Sequence, residues 1–264
     1  MSTPSTAVLL EVEGAVATLT LNDATRRNAM TPELGEALRG RVAELQQRPD
    51  VRAVVLAGAG GTFSAGGDLQ MLERLRRVSS EEARTFMLDF YARYLCVLEL
   101  PVPTVAAVEG AAIGAGLCVA LACDLCVVAE DAKLALNFVQ LGLHPGMGAT
   151  YFVPWRAGAQ RSAELLLTGR RFDGREAVHL GLALEATPGP EVLARARKLA
   201  AQVAANAPLA TRALKRRLAP DRAALQQRAL EEEARFQAES YGSEDLGKGL
   251  AAAAARRAPL FQGR

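Results

Sequence analysis

The chain carries almost no net charge. Its 31 Lys and Arg balance 29 Asp and Glu over 264 residues, leaving +2 at pH 7, which offers no electrostatic footing for nucleic acid or an anionic membrane surface. Histidine is nearly absent, with two copies, and cysteine is confined to positions 96, 118, 123 and 126. Cys123 and Cys126 form a C-x-x-C, but no second pair and no neighbouring histidine completes a zinc set. The thiols therefore read as reduced packing residues, and no metal site is expected. Apolar runs are broken by glycine and charge, and the opening MSTPST lacks the charged and apolar segments of a secretory leader. A soluble, cytoplasmic protein with a small-molecule partner is the expectation. Gly58 to Phe63 (GAGGTF) lacks the third glycine of a dinucleotide fingerprint, and no G-K-[ST] follows a glycine loop, so neither NAD nor ATP is indicated.

Apolar residues are plentiful, at 50% of the chain, enough for a sizeable core. Residues 7 to 21 alternate as two strands joined at Glu13 and Gly14. Thr31-Pro32-Glu33 supplies a cap, a first-turn proline and an acid for a helix that points Leu34, Leu38, Val42 and Leu45 inward. Further strands are predicted over 51–57, 104–108 and 125–129. Asp68 caps a helix over 69–77, Ser79 and Glu82 match a capping box, and residues 118–122 read as a short buried helix. After Pro188-Gly-Pro190 the pattern turns helical over 191–206, 208–218, 221–240 and 243–255. Two glycine-rich stretches, FSAGGDL at 63–69 and GAAIGAGLC at 110–118, each follow an apolar strand. Such loops let backbone N–H groups face a ligand oxygen, and the pair reads as two halves of an oxyanion hole.

These loops join RNAM (27–30), ACDL (122–125), GLHPG (142–146), NAP (206–208) and SED (243–245). Together, in this order, they resemble the enoyl-CoA hydratase/isomerase (crotonase) superfamily. The resemblance implies an α/β (α+β) fold with a core of ββα spiral turns over residues 1–190, a C-terminal helical trimerisation module over 191–264, and an acyl-CoA thioester as substrate with no further cofactor. A homotrimer or a dimer of trimers is implied as well. The thioester oxygen would be held by the N–H groups of Gly67 and Ala115. Arg26 and Ala29 would border the CoA ribose and phosphates. Ala65, Gly66, Asp68 and Leu69 would line the pantetheine path, with Gly116, Cys118 and Phe138 near the acyl group.

The chain departs from the family where acid and base chemistry is done. Hydratase-type members use two glutamates, whose positions here are Cys118 and Phe138, and isomerase-like members place an aspartate where this chain has Gly146. His144, with an ordinary pKa suited to proton exchange, and Tyr241, just before the SED motif, are the candidate donors that remain. Each has a packing role as its alternative. Cys118 reads as a small pocket-lining residue more than a nucleophile, and Met71, Leu75, Phe86, Phe138 and Leu141 suggest an apolar acyl site. Hydration or isomerisation is the family's default. Decarboxylation, thioester hydrolysis and a non-catalytic CoA-ester-binding or assembly subunit are the alternatives.

Overall fold

The computed structural model describes residues 6–218 and 222–264. Strands β1 (Val8–Glu13) and β2 (Val16–Leu21) form the expected hairpin, with Gly14 at φ +57° in its turn. The chain continues through α1 (Pro32–Gln46), β3 (Ala53–Gly58), α2 (Leu69–Leu75), α3 (Ser80–Leu95), β4 (Thr104–Val108), β5 (Ala111–Ile113), α4 (Ala115–Ala122), β6 (Leu125–Ala129) and β7 (Lys133–Ala135). Next come α5 (Ala149–Thr168), β8 (Arg171–Phe172), α6 (Gly174–His179) and β9 (Glu185–Thr187), then four helices, α7 (Val192–Ala204), α8 (Pro208–Leu218), α9 (Arg222–Tyr241) and α10 (Glu244–Ala254).

Six strands form one sheet in the order β1-β2-β3-β4-β6-β9, parallel from β2 onward, while β5, β7 and β8 form a second, smaller sheet. β3 and β4 are buried along nearly their whole length, which explains why AVVLA and TVAAV read as continuous apolar runs: a parallel strand is covered on both faces. Helix α4 is buried at all eight residues, as befits a helix with no polar face. The result is a mixed strand-and-helix fold, in keeping with the fold class that the motifs imply.

The capping signals at Thr31, Asp68 and Ser79 act as read, and Ser243 adds a further cap. Thr31 Oγ1 accepts from Leu34 N (3.2 Å), Asp68 Oδ1 from Met71 N (2.8 Å) and Ser243 Oγ from Leu246 N (3.1 Å), while Ser79 and Glu82 cap each other's backbone. Each such cap stabilises its helix by about 1 kcal/mol. All four cysteines are free and buried. Among the described residues no helix is long and apolar enough to cross a membrane.

Packing does not change character at residue 190, where the sequence turns helical. Helix α7 lies on β2, β3, β4 and β6 and buries Ala196, Ala200 and Ala204, one residue per turn, as a layer of the core. Helix α8 buries none of its residues. Lys215 ties it to the core by an ion pair to Asp124 (2.9 Å) and by donating to the Val102 carbonyl (2.8 Å). Helix α9 packs along α3 and against α5, and α10 covers α2 and the 3-10 turn Phe138–Leu141. The predicted start of α9, Asp221, lies outside the described residues.

Candidate active site

Asn28 organises the approach to the first glycine loop. It is buried, sits at φ +52°, and its amide donates to the carbonyls of Ala59 (3.0 Å) and Thr62 (2.7 Å) while accepting from Asp23 N (2.8 Å). An asparagine tolerates this left-handed backbone and satisfies the turn with its own side chain. The two glycine loops are then stitched together: Ser64 N donates to Ala111 O (3.0 Å), and Ile113 N donates to Ser64 O (3.1 Å). Gly66, at φ +86°, presses so close to the second loop that a Cβ there would lie 2.4 Å from the Ile113 carbonyl oxygen. Only glycine fits.

Gly67 is pinned on both sides, because Met30 N donates to Gly66 O (2.8 Å) and Asp68 N donates to Met30 O (3.2 Å). Its own N–H has no protein acceptor among the described residues, nor has that of Ala115, the first residue of α4. An N–H in the first turn of a helix is left without an intrahelical acceptor, and the helix dipole adds positive potential there. Both residues line one cleft of about 490 Å³. The arrangement can hold a carbonyl oxygen and favour the negative charge that develops on it.

Arg26, Ala29, Ala65, Gly66, Asp68, Leu69 and Phe138 line that cleft as expected, as do Met71 and Leu141 from the suggested acyl site. Other expected residues lie elsewhere. Gly116 does not line the cleft: a Cβ there would lie 2.7 Å from the Ser64 Cβ, so its glycine serves loop packing. Cys118, in α4, is fully buried and outside the cleft lining, and burial pushes its thiol well above the usual range, which disfavours a thiolate nucleophile. Leu75 and Phe86 do not reach the cleft.

His144 opens onto a different, shallow groove. Its ring packs on Phe236 (5.0 Å between centroids), Nδ1 lies 2.7 Å from the Pro145 carbonyl, and burial lowers its pKa. Tyr241 is buried against Met87, with its hydroxyl 3.3 Å from Sδ and, like His144, outside the cleft lining. Neither candidate donor is brought to the cleft that Gly67 and Ala115 line. The reason is shared: both sit where the C-terminal helices press on the core, and that packing claims their side chains.

Among the described residues lining the cleft the one carboxylate is Asp68, which is already engaged as the cap of α2. An acid at position 146 would displace two side-chain ends, since a Cβ there would meet Tyr91 Oη at 2.5 Å and Gln237 Nε2 at 2.6 Å. Gly146→Asp is therefore expected to cost roughly 1–3 kcal/mol through overpacking, read as a lower midpoint in urea. Arg27, Asn137 and Gln237 line the cleft too and were not foreseen. Arg27 was legible as part of RNAM; Gln237 was not, because α9 reaches the cleft from a hundred residues beyond the last motif that shapes it.

The family model for enoyl-CoA hydratase/isomerase matches residues 11–264. A Bacillus subtilis protein named "Probable enoyl-CoA hydratase" is 32% identical over 259 residues, covering 97% of this chain and 99% of the relative. The enoyl-CoA isomerase/hydratase fer4 of Mycosarcoma maydis is 36% identical over 220 residues, covering 83% of this chain and 79% of the relative. The crystal structure of an enoyl-CoA hydratase from Bacillus halodurans superposes with a TM-score of 0.87 at 26% identity, covering 94% of this chain and 100% of that one. From its stitched glycine loops to this nearly full-length match, the chain belongs to the enoyl-CoA hydratase/isomerase (crotonase) family.

Proposed function

We propose that the protein is an acyl-CoA enzyme that polarises a thioester carbonyl between the N–H groups of Gly67 and Ala115 and stabilises the enolate formed from it. The observation that carries this reading is the pair of N–H groups without protein acceptors lining one cleft. Arg26 and Arg27 line the same cleft and suit the phosphates of CoA; Arg26 is held by Asp23 at 2.6 Å. The exposed Leu209, Leu214 and Leu218 of α8 suit burial in a homotrimer or a pair of trimers.

Water addition across an enoyl bond needs a base for the water and an acid for the carbon, and the one carboxylate lining the cleft is committed to a helix N-terminus. Loss of CO₂ from a malonyl-type thioester needs neither. Cleavage of the carbon–carbon bond leaves its electron pair as the enolate that the hole stabilises, and the carbon then takes a proton from solvent. That commitment of Asp68 favours decarboxylation over the two-carboxylate route. Thioester hydrolysis through an acyl-enzyme has no support, because Cys118 is a buried thiol.

A panel of crotonyl-, 3-enoyl-, methylmalonyl- and aryl-CoA esters, followed by chromatographic separation and mass spectrometry so that mass-neutral isomerisation is also seen, tests this. Conversion of methylmalonyl-CoA to propionyl-CoA is expected. Hydration of crotonyl-CoA would overturn the decarboxylase reading, and tight binding with no conversion of any ester would mark a CoA-ester-binding subunit instead.

A further inference from the structure

Among the described residues Gln237 is the one side chain of α9 that reaches the cleft, and its setting differs from that of a packing residue. It is 2% exposed. Its Nε2 donates to the His144 carbonyl (2.9 Å), and its Oε1 accepts from the Tyr91 hydroxyl (2.7 Å). A carbonyl can only accept, so the contact with His144 fixes which end of the amide is nitrogen. These two bonds hold the amide plane from opposite ends and use one of its two N–H groups. Among the described residues the second N–H has no protein partner. Asn137 lines the same cleft, with its Oδ1 3.7 Å from where a Cβ of Gly114 would sit, and it has no side-chain hydrogen bond among the described residues. The wall around them is otherwise apolar, formed by Met71, Leu72, Phe90, Phe138, Leu141 and Leu143.

Burying an amide in an apolar wall is costly unless its hydrogen-bonding capacity is met. Here part of that capacity is left over at the cleft, which also carries the proposed oxyanion hole. A hydrocarbon chain lying against Gln237 would leave the spare N–H unpaired, whereas an oxygen on the acyl group would accept from it. Sites built around such donors reject ligands that lack the matching atom more strongly than apolar pockets reject a misfit of size. The two cations of the cleft, Arg26 and Arg27, belong to the first glycine-loop side and not to this wall, so recognition at Gln237 proceeds through neutral hydrogen bonds.

We propose that Gln237, with Asn137, selects acyl groups that carry a hydrogen-bonding oxygen beyond the thioester, and that Tyr91 is the positioning residue that keeps the Gln237 amide aimed. This rests on the acyl-CoA reading above and deepens it by naming the substrate class. Gly146 is the companion feature: it leaves room for the Tyr91 hydroxyl and the Gln237 amide.

The test is isothermal titration of the full-length protein with two chain-matched pairs, butyryl-CoA against 3-hydroxybutyryl-CoA and pentanoyl-CoA against 4-oxopentanoyl-CoA. At least one oxygen-bearing ester should bind on the order of tenfold more tightly than its match. Gln237→Leu should bring that ratio close to one. Tyr91→Phe, which removes only a hydroxyl and keeps the ring in place, should lower the ratio about threefold without exchanging any atom that touches the ligand. Ratios close to one in the unmodified protein would overturn the proposal and leave the oxyanion-hole reading standing. So would a preference that survives both substitutions. If no CoA ester binds at all, both readings fall. Should Gln237→Leu not fold, the Tyr91→Phe ratio decides alone.

Discussion

Replacing Ala115 with proline should lower turnover by roughly a hundred- to a thousandfold while the protein stays folded, because the change deletes one donor of the proposed oxyanion hole and sets the ring Cδ where that N–H pointed. Ala115 is the first residue of α4, the helical position that proline favours because its fixed φ suits the helix and its missing N–H is one the helix never uses. No protein acceptor loses a bond among the described residues. The preceding residue, Gly114, has no Cβ to meet the proline ring, so the restriction that proline places on its predecessor is mild. Ala115→Gly keeps the N–H and serves as the control, with turnover close to that of the parent. The comparison is kcat on whichever ester the panel identifies, alongside the thermal midpoint of each variant. Parent-like turnover in Ala115→Pro would remove this N–H from the mechanism and with it the assignment of the hole.

Glu233 is expected to give the stability of the protein an unusual pH profile. This α9 carboxylate is fully buried and caps α5 from outside that helix: it accepts from Gly148 N (2.7 Å), Thr150 N (2.8 Å) and Thr150 Oγ1 (2.6 Å). Burial pushes its pKa up to about 7 against the three hydrogen bonds that pull it down. With the folded value above the unfolded one, the native state binds more protons than the unfolded chain between about pH 4.5 and 7. Stability from this group is therefore greatest below that window and falls as pH rises through it, levelling off above 7. The full swing is on the order of 3 kcal/mol. Urea unfolding at intervals from pH 4.5 to 8 measures the slope, and Glu233→Gln should flatten it by removing the titration. The same variant should lose about 1–3 kcal/mol near pH 5, since its NH₂ group faces a backbone N–H where an oxygen accepted before. A profile unchanged by the substitution would show that Glu233 does not titrate in this range.

The local signals in the sequence were dependable for a physical reason. Thr31, Asp68, Ser79 and Ser243 cap helices with atoms at most three residues away, and the strands that enter the glycine loops carry the β-branched runs of buried parallel strands. The glycines and Asn28 in those loops answer to backbone angles and close approaches that few other residues tolerate. Hence the family, the two loops and the cleft residues from Arg26 to Leu69 were legible.

The misplaced residues share the opposite property. His144, Tyr241 and Cys118 stand at plausible distances along the chain, yet whether each faces the cleft depends on how α9 and α10 pack over α3, α5 and the turn at 138–141. The same packing brings Gln237 to the cleft and Glu233 to the start of α5, and no spacing rule announces either. The change of composition at residue 190 likewise does not announce that the alanine stripe of α7 packs on the sheet.

By itself, the sequence determined the two glycine loops and the close approach between them, because backbone stereochemistry is local and glycine records it. The tertiary structure alone decided which side chains surround them, and so which acyl group and reaction the cleft can serve, because the direction of a side chain is set by what packs against it from far along the chain.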